Sequence, residues 1–248
     1  MIKGMYSSSN GMPPMLVRME VIANNLANAN TTGFKKDDMF VEMMSDPGVA
    51  PHVRAGELTT RLNVERTVNF TSGALNQTSN PLDLALESDG WFVIQTKDGE
   101  RYTRNGNFTL LLDGTLTTHE GLPVLGADGP IRIPEPHKAV LDGISVTQSG
   151  TVSVGNKEVG KLRVVLISDE QQLRKAGDSL FRLPNDAEVT IGENELPVIR
   201  QGFLEESNVD GIEEMIQMIE ITRHFESNQK AIASQDASLD KLFEVGRF

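Results

Sequence analysis

No cysteine occurs among the 248 residues, which excludes disulfides and thiolate chemistry outright. Histidine is scarce too. His52, His119, His137 and His224 stand far apart with no second ligand at metal-binding spacing, so no metal site is expected. No apolar run approaches the roughly 20 residues of a membrane-spanning helix. The N-terminal stretch lacks the basic and continuous apolar regions of a cleaved signal peptide, so any export is expected to use another route. A basic surplus is missing as well: 23 Lys and Arg face 35 Asp and Glu, for a net charge of -12. That balance opposes binding to nucleic acid or an anionic membrane surface, and neither nucleic acid nor direct membrane insertion is expected. The glycines form no G-x-G-x-x-G or P-loop pattern, and no cofactor is expected. Asp83, Glu87 and Asp89 gather near a turn with nothing to raise a pKa, so a catalytic carboxylate pair is not expected either.

What the chain does have is one helical period at both ends. Met218, Phe225, Ile232 and Leu239 stand seven residues apart, with Ile221, Asn228, Gln235 and Leu242 at the neighbouring register positions. This is a heptad seam, apolar outside and polar in the middle. Ser207, Asn208 and Asp210 offer N-caps for it, and Glu213 and Glu214 suit the positive end of the helix. At the other terminus Met5, Met12, Met19 and Leu26 are again seven apart, flanked by Met15, Leu16, Ile22, Ala23 and Ala29. Neither narrow stripe buries itself alone, so the two terminal helices are expected to pack together, as a simple helix pair or also against other copies. All ten methionines lie within residues 1 to 44 or at 215 and 218. Flexible thioethers suit surfaces that repack against several partners, and they also serve as core filler.

Five segments follow from the pattern: a helical part at 1–33, an extended connector with strand segments at 34–80, a β domain at 81–197, a return connector at 198–208 and a second helix at 209–248. The pair Pro13 and Pro14 is expected to start the first helix or to kink it. Asn24 and Asn28 share a helix face beside Asn25, and Asn30 to Gly33 offers a left-handed stop. An amide on a buried seam fixes register; on a solvated helix end it does not. Leu58, Leu62, Val64, Val68 and Phe70 alternate as in strands. From Pro81 onward turn pairs recur, among them Asp89-Gly90, Asp98-Gly99, Asn105-Gly106, Asp113-Gly114 and Asp128-Gly129, which predicts short strands joined in hairpins. Further strands are expected at 144–154, 161–168, 179–183 and 188–191, with a helical turn at 170–175. The fold class is therefore α+β: terminal helices packed in a coiled-coil-like layer and a central, mainly antiparallel β domain. Four Asn-x-Ser/Thr triplets, at Asn30, Asn69, Asn76 and Asn107, are assigned no role.

Ala23-Asn24-Asn25-Leu26-Ala27-Asn28 followed by Thr32-Gly33-Phe34-Lys35 resembles the N-terminal signature of bacterial flagellar rod and hook proteins. Pro81 to Leu86, Asp89-Gly90-Trp91-Phe92-Val93 and Tyr102 to Phe108 are similar to segments of the rod members, as is Gln201 to Val209 with Glu214-Met215, Met218-Ile219, Arg223 to Glu226 and Asn228. The modest length and short connector look most like the proximal-rod protein, with a distal-rod or hook-type axial protein as the alternative. The resemblance implies a structural subunit and not an enzyme. It implies polymerisation through terminal helices into the periplasm-spanning rod that transmits motor torque. Its implied partners are other copies of the chain, neighbouring rod proteins and the flagellar type III export apparatus, without signal cleavage.

The residues expected to form the assembly interface are Met5, Met12, Met15, Met19, Ile22, Asn24, Asn25, Leu26 and Asn28 at the first end. At the second end they are Ile212, Met215, Met218, Ile219, Ile221, Phe225, Asn228, Ile232, Gln235, Leu239 and Leu242. A secreted adhesin-like module with a coiled-coil stalk shares the seam and the β domain but does not require these signatures. An enzyme requires a convergent set of groups, and alanine substitution at Asp83, Asp89 or His119 would have to abolish a turnover activity.

Overall fold

Two long helices and a series of short antiparallel strands make up the chain in a computed structural model, which describes residues 2–44, 61–134, 143–184, 189–190 and 198–245. The chain divides into two compact units. One comprises Met1–Ala27, Asp37–Asn69 and Asp210–Phe248; the other comprises Asn28–Lys36 and Phe70–Val209.

The first unit holds helix α1 (Ile2–Ala27), the hairpin of β1 (Asp37–Met44) and β2 (Arg61–Val68), and helix α2 (Gly211–Val245). α1 runs through Pro13 and Pro14, so the helix neither starts there nor stops. The two prolines lack N–H groups, which leaves the carbonyls of Ser9 and Asn10 without their usual donors inside the helix. β1 and β2 pair antiparallel along their whole length, from Asp37 opposite Val68 to Met44 opposite Arg61. Asp210 caps α2: its Oδ1 accepts from the N–H groups of Ile212 at 2.9 Å and Glu213 at 3.2 Å. Of the three candidate caps, the carboxylate nearest the helix is the one used.

In the second unit the segment after α1 turns at once. α1 ends at Ala27, short of the expected residue 33: Thr31 N–H donates to Asn28 O in a turn, and Gly33 adopts φ +66°. A six-stranded antiparallel sheet runs in the order Arg174–Lys175, Leu180–Arg182, Gly99–Thr103, Trp91–Thr96, Val164–Ile167, Val189–Thr190. Its central strand is buried on both faces. Phe92 and Ile94 join Leu84, Leu86, Phe108, Leu116, Val124, Val152, Leu162 and Ile199 in the main core. On the opposite face Trp91 packs edge-on to Phe70 and Phe181, with centroids 5.7 and 5.0 Å away. The expected strand at 144–154 is a hairpin, Ile144–Val146 and Thr151–Val154, because Thr147 O accepts from Gly150 N–H and Gly150 takes φ +86°. The helical turn expected at 170–175 is a 3-10 turn at Glu170–Gln172, followed by a short strand. Two returning strands close the unit: Ile199–Gln201 pairs with Leu84–Leu86, and Phe203–Glu205 pairs with Leu75–Gln77.

Candidate assembly interface

Helix α2 presents two distinct faces. One packs along α1, and its less exposed positions are Glu214, Met218, Ile221, Phe225, Asn228, Ile232 and Gln235, at alternating steps of four and three. The same rhythm recurs on α1 at Met12, Met15, Met19, Ile22 and Leu26. Midway along, Asn228 Nδ2 donates to the Met15 sulfur at 3.4 Å. The second face of α2 is apolar and open: Ile212 is 69%, Met215 48%, Ile216 53% and Ile219 54% exposed. Those four positions follow the spacing of a single helix face. On α1, Leu16 is also exposed.

The residues expected at the interface therefore separate into sets. Met12, Met15, Met19, Ile22, Leu26, Met218, Ile221, Phe225, Asn228, Ile232 and Gln235 occupy the less exposed positions within the helix pair, whereas Ile212, Met215 and Ile219 lie on the open stripe. Ile216 belongs to that stripe and was missed, although its place one residue after Met215 signals the same face. Asn24 is exposed, and Asn28 lies just beyond the end of α1. Asn25 is the buried amide: its Nδ2 donates to Asp37 O and its Oδ1 accepts from Asp37 N–H, both at 2.9 Å. It thereby fixes the start of β1 against the last turn of α1. The side chains of Met5, Leu239 and Leu242 lie outside the described residues.

In the second unit, segments quoted for the family resemblance meet at one ionic clasp. Lys35 and Glu205 side chains are both 0% exposed, and Lys35 Nζ lies 2.6 Å from Glu205 Oε1. Lys35 Nζ also donates to Thr71 O at 2.8 Å, and Gly73 N–H donates to Glu205 Oε1 at 3.0 Å. Arg104 approaches Glu205 Oε2 to 3.7 Å, donates to Ser88 O, and stacks over the Trp91 ring at 5.3 Å. Asn208 Oδ1 accepts from Lys36 N–H while its Nδ2 donates to Thr71 O, so the residue expected as a cap is a tie between segments.

Gly33 is required at this clasp. Besides its positive φ, a Cβ there would stand 2.5 Å from the backbone nitrogen of Asn105, and Gly33 N–H donates to Glu205 O at 2.8 Å. Burial pulls the Lys35 ammonium below the ordinary lysine value, opposed by the charge and hydrogen bond of Glu205. Burial likewise pushes Glu170 above the ordinary carboxylate value, against the hydrogen bond it accepts from Trp91 Nε1 at 3.1 Å. Among the described residues no three His, Asp or Glu side chains gather as a metal site, and no helix is long and apolar enough to cross a membrane.

Three family models match the chain in order: a flagella basal body rod protein at residues 5–35, the flagellar hook protein FlgE/F/G D1 domain at 85–154, and the flagellar basal body rod FlgEFG protein C-terminal region at 200–245. The flagellar basal-body rod protein FlgG of Bacillus subtilis is 34% identical over the full length of both chains. The chain belongs to the flagellar basal-body rod proteins. The rod protein FlgF of Salmonella typhimurium is 36% identical over 93% of each chain, and FlgF of Caulobacter vibrioides 36% over 86% of this chain and 84% of its own. Together these relatives support a flagellar basal-body rod protein, as expected. It is a structural subunit of the flagellar basal body and not an enzyme. Lys35, Arg104 and Glu205 of the rod protein all fall in or beside its signature segments, yet only the folded chain shows them in contact.

Proposed function

We propose that this rod protein polymerises through its terminal helices, with copies of itself and with neighbouring rod proteins, into the periplasm-spanning shaft that transmits motor torque. The observation that carries this reading is the open stripe of Ile212, Met215, Ile216 and Ile219 on α2, whose other face already packs on α1. An apolar helix face with no partner of its own marks an interaction surface. Burying each such side chain contributes roughly 1.5–3 kcal/mol, which is summed over every neighbour in a polymer. The heptad rhythm between α1 and α2 supports a coiled-coil-like layer formed by residues 1–33 and 209–248, with 81–197 as the β domain and connectors between. Asn228 and Gln235 serve register in that layer. Export through the flagellar type III apparatus without a cleaved signal belongs to the same reading.

The reading is tested with Ile216→Glu and Ile219→Glu, each as the only copy in motile cells. Both are expected to abolish swimming and incorporation into isolated basal bodies, while the purified chains keep wild-type circular dichroism. Normal swimming by both variants would overturn the reading.

A further inference from the structure

Methionine chemistry separates the two faces of α2. Of the methionines whose side chains are described, Met12, Met15, Met19, Met39 and Met218 are half-buried, and Met215 alone is exposed. Met215 sits inside the open stripe, one turn from Ile212 and one from Ile219. Met15 is one of the half-buried group. It lies in the helix pair, and its sulfur accepts a hydrogen bond from Asn228 Nδ2 at 3.4 Å, which engages a lone pair that an oxidant needs.

We infer that Met215 is an oxidation-sensitive site that closes the rod protein's assembly surface when peroxide or hypochlorous acid reaches it before assembly. The inference rests on the reading of the open stripe as that surface. With hydrogen peroxide, a sulfur lone pair forms the new S–O bond as the O–O bond breaks. The departing hydroxide takes a proton and leaves as water. Sulfur is oxidised by two electrons and the peroxide is reduced. The product is a methionine sulfoxide, which replaces a flexible apolar contact with a strongly polar S–O group in the middle of the stripe. The sulfoxide oxygen accepts hydrogen bonds, and a stripe of isoleucine neighbours provides no donor for it. Once a subunit has been incorporated, neighbours that cover the stripe shield the sulfur, so sensitivity is confined to the unassembled chain. The change is reversible by enzymatic reduction of the sulfoxide.

The test begins with the purified full-length chain, exposed to dilute hydrogen peroxide and mapped by peptide mass spectrometry. Met215 is expected to gain oxygen several-fold faster than Met15 and Met218. Equal rates at the three positions would overturn the inference. In cells carrying one variant as the only copy, Met215→Gln places a polar group of similar length on the stripe and is expected to abolish swimming. Met215→Leu keeps an apolar side chain without sulfur, and is expected to swim. Swimming by Met215→Gln, or its loss in Met215→Leu, would overturn the inference. Ile216→Glu and Ile219→Glu in the same cells separate the two readings. If both swim, the assembly surface itself is misassigned; if either fails to swim while Met215→Gln swims, only the oxidation site fails.

Discussion

At the scale of single residues, the buried ions decide how the second unit holds together. Lys35 and Glu205 are completely enclosed, and removing Lys35 leaves Glu205 with only the longer contact to Arg104, 3.7 Å away, as counter-charge. Lys35→Met is therefore expected to cost about 3–5 kcal/mol of unfolding free energy. Adding Glu205→Leu removes that carboxylate but also takes the nearest counter-charge from the buried Arg104, so the double variant is not expected to regain wild-type stability. Trp91 is the only tryptophan and lies beside Arg104, so its fluorescence during urea denaturation reads both variants. Equal stability of Lys35→Met and wild type would remove the clasp from the account.

Glu170 gives the pH dependence. Its folded pKa is raised, so between the ordinary value near 4.5 and that raised value the folded state holds a proton the unfolded state has lost. The stabilising contribution is complete below the lower limit and disappears as pH rises through the folded pKa. Glu170→Gln should therefore raise the melting temperature at neutral pH, keep an acceptor for Trp91, and lose its advantage below about pH 4. A constant advantage across that range would assign the effect to something other than ionisation. Nothing in the order of residues announced this clasp: Lys35 and Glu205 are 170 positions apart, and charge spacing along a chain is silent about contacts of that range. The signal that was present lay in the segments themselves, since Thr32 to Lys35, Tyr102 to Phe108 and Gln201 to Val209 all belong to the family signature.

At the scale of elements, period carried the helices further than composition did. Steps of three and four placed Met218, Ile221, Phe225, Asn228 and Ile232 on one face, and the same face packs on α1. Period alone did not divide that face from the open stripe, because Met215 and Met218 look equivalent until the position of α1 is known. Of the two readings of the proline pair, a helix start at Pro13 is the one the structure replaces. A missing N–H costs hydrogen bonds locally, but it does not forbid a helix that gains packing along the rest of its length.

Asn228 now has a specific place, against the sulfur of Met15 and with Ile221, Phe225 and Ile232 along the same stripe. Asn228→Leu should stabilise association of α1 with α2 while weakening its selectivity, since an amide in an apolar seam penalises wrong registers. The expected outcome is a higher helical melting temperature in circular dichroism together with aggregation and impaired swimming. Unchanged stability with normal swimming would show that the amide has no part in setting register.

At the scale of the whole molecule, hairpins between near neighbours were legible because Asp98-Gly99 and Asp113-Gly114 announce their own turns. The long-range closures were not. Leu84–Leu86 takes Ile199–Gln201 as its partner and Leu75–Gln77 takes Phe203–Glu205, and short strands of this kind have no marker for a partner more than a hundred residues away. These closures change what a protease should leave. Turn composition alone draws the β domain at 81–197, but residues 28–36 and 198–209 are held to it by Lys35, Glu205, Asn208 and the returning strands. Limited proteolysis of the purified chain, followed by native mass spectrometry, should therefore yield a protected body that retains 28–36 and ends near Val209, even where cleavage breaks the chain between 36 and 70. Local openings that expose a bond to a protease are governed by buried contacts and hydrogen bonds, and the clasp is rich in both. With Lys35→Met the 28–36 segment should be released and the body should shrink toward 81–197. If the wild-type body already ends there, the closing strands and the clasp are not one cooperative structure with the β domain, and the boundary drawn from turn composition is the correct one.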